Sequence, residues 1–385
     1  MKKIQHILFV FVIALTLTGC WDRTEVNDLA FITSTGIDKL EDNLFQVSIQ
    51  VPLPSAMGGP SGGGGGTSGN KPYYVDSGIG RNVREANDDM QRRMSRELYF
   101  AHRRVIILGE KLASEGMERS LDLILEHPES RLSTFMLVAK GNAMDILTSS
   151  PHFEQIPAEA VRELTKTALK MNTREIINQL HLPGKDPIIP VVRTVTTQNN
   201  GQDEKIELQI DGAAILKDDV LQFMTNDQEA LGISWLLKRM YEKKLTVSVR
   251  KESELNLIVE DYKLKPSYKI NNKLPEFTIS LFVDCNLLQN EPDLNLEDPD
   301  IYSLATRKIE EEIKKQVAGI INHAKSVGVD PYGLGWLVYR HDNKLWEENL
   351  SKNWRELLPD IKVAANVEAE IAVINNKGIK IREAT

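Results

Sequence analysis

The sequence predicts an α+β, multidomain protein: mixed sheets packed with helices, and a C-terminal domain with a largely antiparallel sheet and a long amphipathic helix. Three observations carry that expectation. Strand-like and helix-like segments alternate between Tyr73 and Leu147, the pattern of a mixed, partly parallel sheet. Long runs of period-two alternation follow one another after about Lys205, as antiparallel strands do. One stripe, Ala305, Ile309, Ile313, Val317, Ile320 and Ala324, keeps helical spacing for about five turns. At 385 residues the chain is too long for one core and suggests two or three domains.

The first element is a targeting device. Lys2 and Lys3 precede an apolar stretch from Ile7 to Leu17, shorter than the roughly 20 residues that span a bilayer as a helix. Residues 1–19 therefore have the form of a signal peptide. The stretch ends in Leu17-Thr18-Gly19-Cys20, which resembles the bacterial lipobox: small residues admit the backbone to the peptidase, and the Cys20 sulfur accepts the lipid. Each buried methylene contributes about 0.8 kcal/mol, so two or three acyl chains hold a protein on a membrane far better than one. Cys285 is then the only other cysteine, and no intramolecular disulfide can form. The net charge of −8 becomes more negative when Lys2 and Lys3 leave with the signal peptide. That balance argues against nucleic acid or anionic lipid as a main partner.

Residues 20–150 are expected to form an N-terminal α+β domain with a disordered glycine-rich loop at 55–71. Leu29 to Ile37 is a strand, and Phe45, Val47, Ile49 and Val51 alternate as in a half-buried one. In the loop, Gly64 and Gly69 have phosphate-loop separation, but Asn70 stands where lysine is needed and Lys71 is followed by Pro72, so the loop is a flexible connector. Val83, Ala86, Met90 and Met94 mark a helix face, Val105 to Leu108 an apolar run, Ser114 to Glu126 a helix, and Leu132 to Ala139 a strand. Arg81, Arg84, Arg92, Arg93, Arg96, Arg103 and Arg104 make this the basic part of the chain; they read as a solvated face balanced by Glu85, Asp88, Asp89 and Glu97, with a docking or membrane face as the sharper alternative.

Residues 151–204 look like a small middle helical domain. Val161, Leu164, Ala168 and Leu169 mark one helix, Thr173 starts a second through Leu180, "LPGKDPIIPVV" stops it, and Asn199-Asn200-Gly201 is the boundary. Residues 205–385 form the C-terminal α+β domain. Asp218-Asp219 turns Ala213–Leu216 back onto Val220–Met224, and Asp227 caps a helix carrying Leu231, Trp235 and Leu236. Thr246 to Arg250, Leu255 to Leu264 and Phe277 to Leu287 are long strands, and Cys285 falls on the apolar face of the last, as a buried small hydrophobe. Ile361 to Val373 alternates strictly, Asn375 to Gly378 turns, and Ile379 and Ile381 return.

Signals for catalysis are missing. The histidines at 6, 102, 127, 152, 181, 323 and 341 form no metal-ligand spacing, so no metal and no cofactor is expected. No G-x-S-x-G elbow occurs, and His341-Asp342 fits a helix-start turn better than part of a triad. "GWLVYRHDNKLW" and "SKNWREL" read as core-packing helices rather than a ligand cleft. The expectation is therefore no enzyme, and a role in binding or assembly.

Several segments together are similar to one family. "GCWDRTEVNDLAFITSTGID", "QVSIQVPLP", "SRELYFAHRRVIILGEKLASEG", "ESRLSTFMLVAKG" and "VDPYGLGWLVYR" resemble, in matching order, the Ger(x)C lipoproteins, C subunits of nutrient germinant receptors in endospore-forming bacteria. The resemblance implies a three-domain lipoprotein held through Cys20 on the outer face of the spore inner membrane. It also implies two partners, the A and B membrane subunits of the receptor, and no catalytic residues. An extracytoplasmic solute-binding lipoprotein feeding a transporter is the alternative, and would show two doubly wound lobes.

Overall fold

The computed structural model describes residues 4–5, 24–53, 71–126, 129–197, 206–251, 253–272, 274–291 and 294–373. Leu17, Thr18, Gly19 and Cys20, the glycine-rich loop up to Asn70, and the turn and return strand after Val373 lie outside them. The structure is α+β, with helices packed on two principal sheets.

The chain enters through β1 (Leu29–Phe31), which pairs in parallel with β5 (Glu97–Tyr99) as a two-stranded ribbon. The first large sheet takes β2 (Ser34–Lys39), β3 (Phe45–Pro52), β4 (Tyr73–Gly80), β6 (Val105–Leu108), β7 (Phe135–Ala139), β8 (Ile188–Thr196), β9 (Ile206–Lys217) and β10 (Val220–Met224). Their order is β10-β9-β8-β7-β6-β2-β3-β4. In the middle, β2, β6, β7 and β8 are mutually parallel, and the antiparallel hairpins sit at the two sides. The continuous apolar run of β6 is buried at every position, as a central parallel strand covered on both faces must be.

Helices provide those covers. On one face lie α1 (Val83–Gln91), α2 (Glu110–Glu115) and α3 (Glu118–Glu126), contributing Val83, Ala86, Met90, Leu112 and Leu121 to a core with Ile37, Ile106 and Met136. The Asn82 side chain caps α1 by accepting the Glu85 N–H at 2.9 Å. The single helix expected from Ser114 is two, because Gly116, at φ +111°, breaks the chain between α2 and α3. On the other face α4 (Ala143–Thr148) and α5 (Pro157–Thr167) bring Ile146, Leu147, Ala160 and Val161 against Val105, Ile107 and Leu137. Next comes α6 (Thr173–Leu180), begun by a reciprocal Asn172–Glu175 capping box.

"IIPVV", read from the sequence as a helix stop, is β8, and Asn199-Asn200-Gly201 falls between the paired strands β8 and β9. One hydrogen-bonded sheet thus includes residues on both sides of position 204/205. A buried parallel strand carries no alternation, so its short apolar run resembles a helix exit or a core segment equally.

The connection from that sheet is α7 (Asp227–Leu236), whose cap is Asn226 rather than Asp227: its side chain accepts the Glu229 N–H at 3.0 Å while Glu229 accepts the Asn226 N–H. The second large sheet has order β11-β12-β13-β14, from β11 (Lys244–Arg250), β12 (Ser253–Asn271), β13 (Leu274–Glu291) and β14 (Val363–Val373). The first three are antiparallel and β14 joins β13 in parallel. The crossover that parallel pairing demands is α8 (Pro299–Ser326), 28 residues long and so about 42 Å, capped by Asp298. Every residue of its anticipated stripe is buried. Along the side of β14 away from β13, α8 supplies acceptors: Glu310 takes the Ala369 N–H at 3.2 Å and the Tyr302 hydroxyl takes the Ile371 N–H at 3.2 Å.

α8 also joins the two halves. Its Ile309, Ile313 and Val317 pack on the second sheet, whereas Ile320 and Ala324 belong to the core of the first. Trp235 of α7 is fully buried against it and donates to Gln316 Oε1 at 3.0 Å.

Candidate functional site

The signal-peptidase and lipidation residues Leu17, Thr18, Gly19 and Cys20 are outside the described residues. The other cysteine is where the strand alternation put it. Cys285 is buried in β13, and burial, with Asp284 beside it, pushes its thiol up to about 12, so it is inert as a nucleophile. His341 and Asp342 do not act together. His341 Nδ1 lies 2.8 Å from the Leu337 carbonyl, and Asp342 accepts the Leu345 N–H at 2.9 Å at the start of a short helical turn. Among the described residues no group of three or more His, Cys, Asp or Glu side chains could hold a metal ion.

The arginines of the first half sort as a wet surface with one exception. Arg81 pairs with Glu85 at 2.9 Å, Arg92 with Asp89 at 2.7 Å, and Arg93 with Asp76 at 3.0 Å, exposed arginines on partly buried carboxylates. Arg103 is buried instead.

The densest polar constellation lies where the two halves meet. It is built from the segment after α6, the β9–β10 turn, and the "VDPYGLGW" loop that leads into α9 (Leu334–His341). Asp330 is 1% exposed. Its carboxylate accepts the N–H groups of Gly333, Leu334 and Gly335 at 2.8–3.0 Å and the Trp354 indole N–H at 3.2 Å. Its own N–H donates to Asp186 Oδ2 at 2.7 Å, and the Asp186 N–H returns a bond to the Asp330 carbonyl at 2.9 Å. Arg355 closes the set with a fork on Asp218, at 2.6 and 2.8 Å, and a third bond to Asp186 Oδ1 at 2.7 Å.

Backbone geometry makes this approach feasible. Gly184, at φ +63°, and Gly335 pack face to face under Trp346; a Cβ on Gly184 would lie 2.4 Å from the Trp346 ring and 2.7 Å from the Gly335 Cα. Asp218 occupies the left-handed region, at φ +55°, which an aspartate in a hairpin turn tolerates. Around the loop, Phe277, Leu334, Val338, Trp346, Leu350 and Trp354 form a separate apolar cluster, so the aromatic-rich segments pack a core as their sequence suggested.

Electrostatically the constellation is balanced. Burial pushes the Asp330 carboxyl up to about 6 against the lowering effect of its N–H donors. The Arg355 guanidinium holds Asp218 below the usual carboxylate range and is itself raised by its two aspartates. Burial lowers Lys185, which Asp330 partly offsets. A cleft of about 480 Å³ lies above, lined by Lys185, Asp218, Trp346, Lys352, Trp354 and Arg355. Asp186, Asp218 and Arg355 are spent on one another, so what the geometry provides is a joint between segments far apart in sequence. "DPYGLGW" and "LPGKDP" were visible as motif and as helix stop, but nothing in either showed that Asp330 and Asp186 meet, because 144 residues separate them.

The chain has full-length relatives. The family described as "Spore germination protein N-terminal domain" matches residues 22–194, and "Spore germination B3/ GerAC like, C-terminal" matches residues 211–374. The chain is similar to YfkR of Bacillus subtilis (strain 168), 33% identical over 367 residues and 94% of each chain. It is also similar to spore germination protein KC of the same organism, at 27% over 393 residues, 96% of this chain and 95% of that one. Its fold matches the crystal structure of the GerBC protein with a TM-score of 0.54 at 19% identity, covering 89% of this chain and 97% of that one. With both halves matched in order across nearly the whole described fold, the chain belongs to the Ger(x)C family of spore germination proteins.

Proposed function

We propose that the chain is a non-catalytic, lipid-anchored subunit of a spore nutrient germinant receptor, required for receptor assembly and for the germination response. The observation that carries this reading is the end-to-end similarity to proteins named for spore germination, over 94% of the chain in the case of YfkR and 96% in that of protein KC. The lipobox at Leu17–Cys20 supports the anchor. Its partners are the A and B membrane subunits, and its place is the outer face of the spore inner membrane. A tether through Cys20 confines diffusion to a plane and raises the effective concentration for weak contacts with embedded proteins. The polar joint at Asp330 fits a scaffold, since it fixes how the two sheets sit relative to each other. The solute-binding alternative gains nothing from the fold, in which a mixed eight-stranded sheet and a mostly antiparallel four-stranded sheet share α8.

The test is Cys20→Ala in a strain with all other receptor subunits intact. Loss of the protein from the membrane fraction and of the nutrient response is expected. An unchanged response from a protein that still sediments with membrane would overturn the proposal.

A further inference from the structure

We infer that the end of the eight-stranded sheet at which its parallel strands begin is the face turned to the bilayer, and that it engages the phosphate groups of anionic lipid. This rests on the anchored reading above and goes beyond it by assigning the surface.

Topology gathers the relevant segments. Ser34, Val105 and Phe135 are in register at the starts of β2, β6 and β7, so the segments just before them share one end of the sheet. Hydrogen bonds fasten them together: the Arg104 N–H donates to Thr33 O at 2.8 Å, the Phe135 N–H to Arg104 O at 3.0 Å, and Thr134 Oγ1 to Arg103 O at 3.1 Å. The leader arrives at the same end through β1. Position 24 is four steps along the chain from Cys20, and an extended chain covers at most about 3.6 Å per step. Chain length alone therefore limits the backbone reach from position 20 to about 15 Å at position 24 and about 32 Å at Leu29.

Chemistry at this end suits a headgroup region. Arg103 is 7% exposed, and the only hydrogen bond of its guanidinium is from Nη2 to the Ser130 hydroxyl at 3.0 Å; the group lies over the Phe100 ring, 5.6 Å from its centroid, and Nε is buried without an acceptor. Among the described residues no carboxylate pairs with it, and burial lowers its pKa to about 10. The Glu129 carboxylate nearby is occupied by the Phe100 N–H at 2.9 Å. A guanidinium held under the surface without a counter-ion is matched by a phosphate, whose oxygens accept its fork. His102 and Arg131 are exposed beside it, and Arg104 is exposed and shared with Glu159. Apolar and aromatic groups interleave with these cations: Val26 is 69% and Leu132 39% exposed, and the rings of Phe31, Tyr99 and His102 stand within 5.1–5.9 Å of one another. Tyr and Phe beside cations, with one side wet, are what a bilayer interface selects.

The whole chain is acidic, and Glu25, Asp28 and Glu97 are exposed near the leader. On the exposed face of the second sheet Asp261, Asp284 and Glu370 line up across three strands. Repulsion there and attraction here orient the tethered body rather than adsorb it.

The mature lipoprotein, reconstituted in vesicles of phosphatidylcholine with or without phosphatidylglycerol, tests this. A nitroxide is placed through Arg131→Cys or, at the opposite end just after β2, through Glu41→Cys. Collisional relaxation by a lipid-linked nickel chelate should be several-fold stronger at position 131 than at 41, and should rise further with phosphatidylglycerol. Arg103→Gln should remove most of that rise while leaving flotation unchanged. Equal relaxation at the two positions, or a stronger effect at 41, would overturn the surface while sparing the anchor. Failure to float would overturn the anchor and this surface with it. Proximity at 131 appearing only in native membranes, not in protein-free vesicles, would replace lipid by an acidic protein and overturn the lipid assignment.

Discussion

Asp330 shows how far one carboxylate can organise a fold. Four N–H groups from two segments converge on it, so removing the acceptor strands all four donors in a dry site. Asp330→Ala is expected to lower the unfolding free energy by about 3–5 kcal/mol in urea denaturation. The pH dependence has a definite sign. Because the folded carboxyl is raised from 3.8 to about 6, the native state holds its proton more tightly than the unfolded chain. That contribution is fully present below pH 3.8 and is lost as pH rises through 6. Asp218, lowered by Arg355, works oppositely: its stabilisation is present above 3.8 and lost as pH falls below it. Asp330→Asn should therefore flatten the loss of stability between pH 4 and 6 while leaving the acid limb in place, as urea midpoints across that range would show. Arg355→Lys cannot keep the fork on Asp218 and the bond to Asp186 together; with the side chain about a third exposed, a loss of about 1–2 kcal/mol is expected in the same assay.

Among elements, the close approaches are the sensitive points. Gly184→Ala places a methyl inside the Trp346 contact and strains a positive φ, and should cost about 2–4 kcal/mol, read as a lowered thermal midpoint. Asn226→Ala should cost only about 1 kcal/mol, because one capping bond to an exposed turn is lost. The elements legible in the sequence were those whose burial has a period: α8, β13 and the α1 face keep one apolar stripe each, and the structure buries it. Those that escaped had no period to read. β8 is apolar on both faces, and the break at Gly116 rests on one φ that no pattern of neighbours reveals. At the joint, Asp330 and Trp354 carried local signals, but their meeting with Asp186 and Asp218 depends on three long-range closures.

As a whole, the molecule is two sheets sharing one helix. Since α8 contributes Ile309 and Ile313 to one core and Ile320 and Ala324 to the other, neither half can lose its helix without exposing the other's apolar surface. Heating the mature protein should give one cooperative transition, with calorimetric and van't Hoff enthalpies equal; two resolved transitions would show that the halves melt independently.

The acceptors that Glu310 and Tyr302 set along β14 bear on how this body can be joined to others. A visiting peptide finds the amide hydrogens of Ala369 and Ile371 already claimed, so zipping a foreign strand onto that margin would first require evicting the helix's own side chains. At those two positions recruitment is left to side-chain recognition, which discriminates between partners, whereas backbone pairing accepts nearly any extended segment.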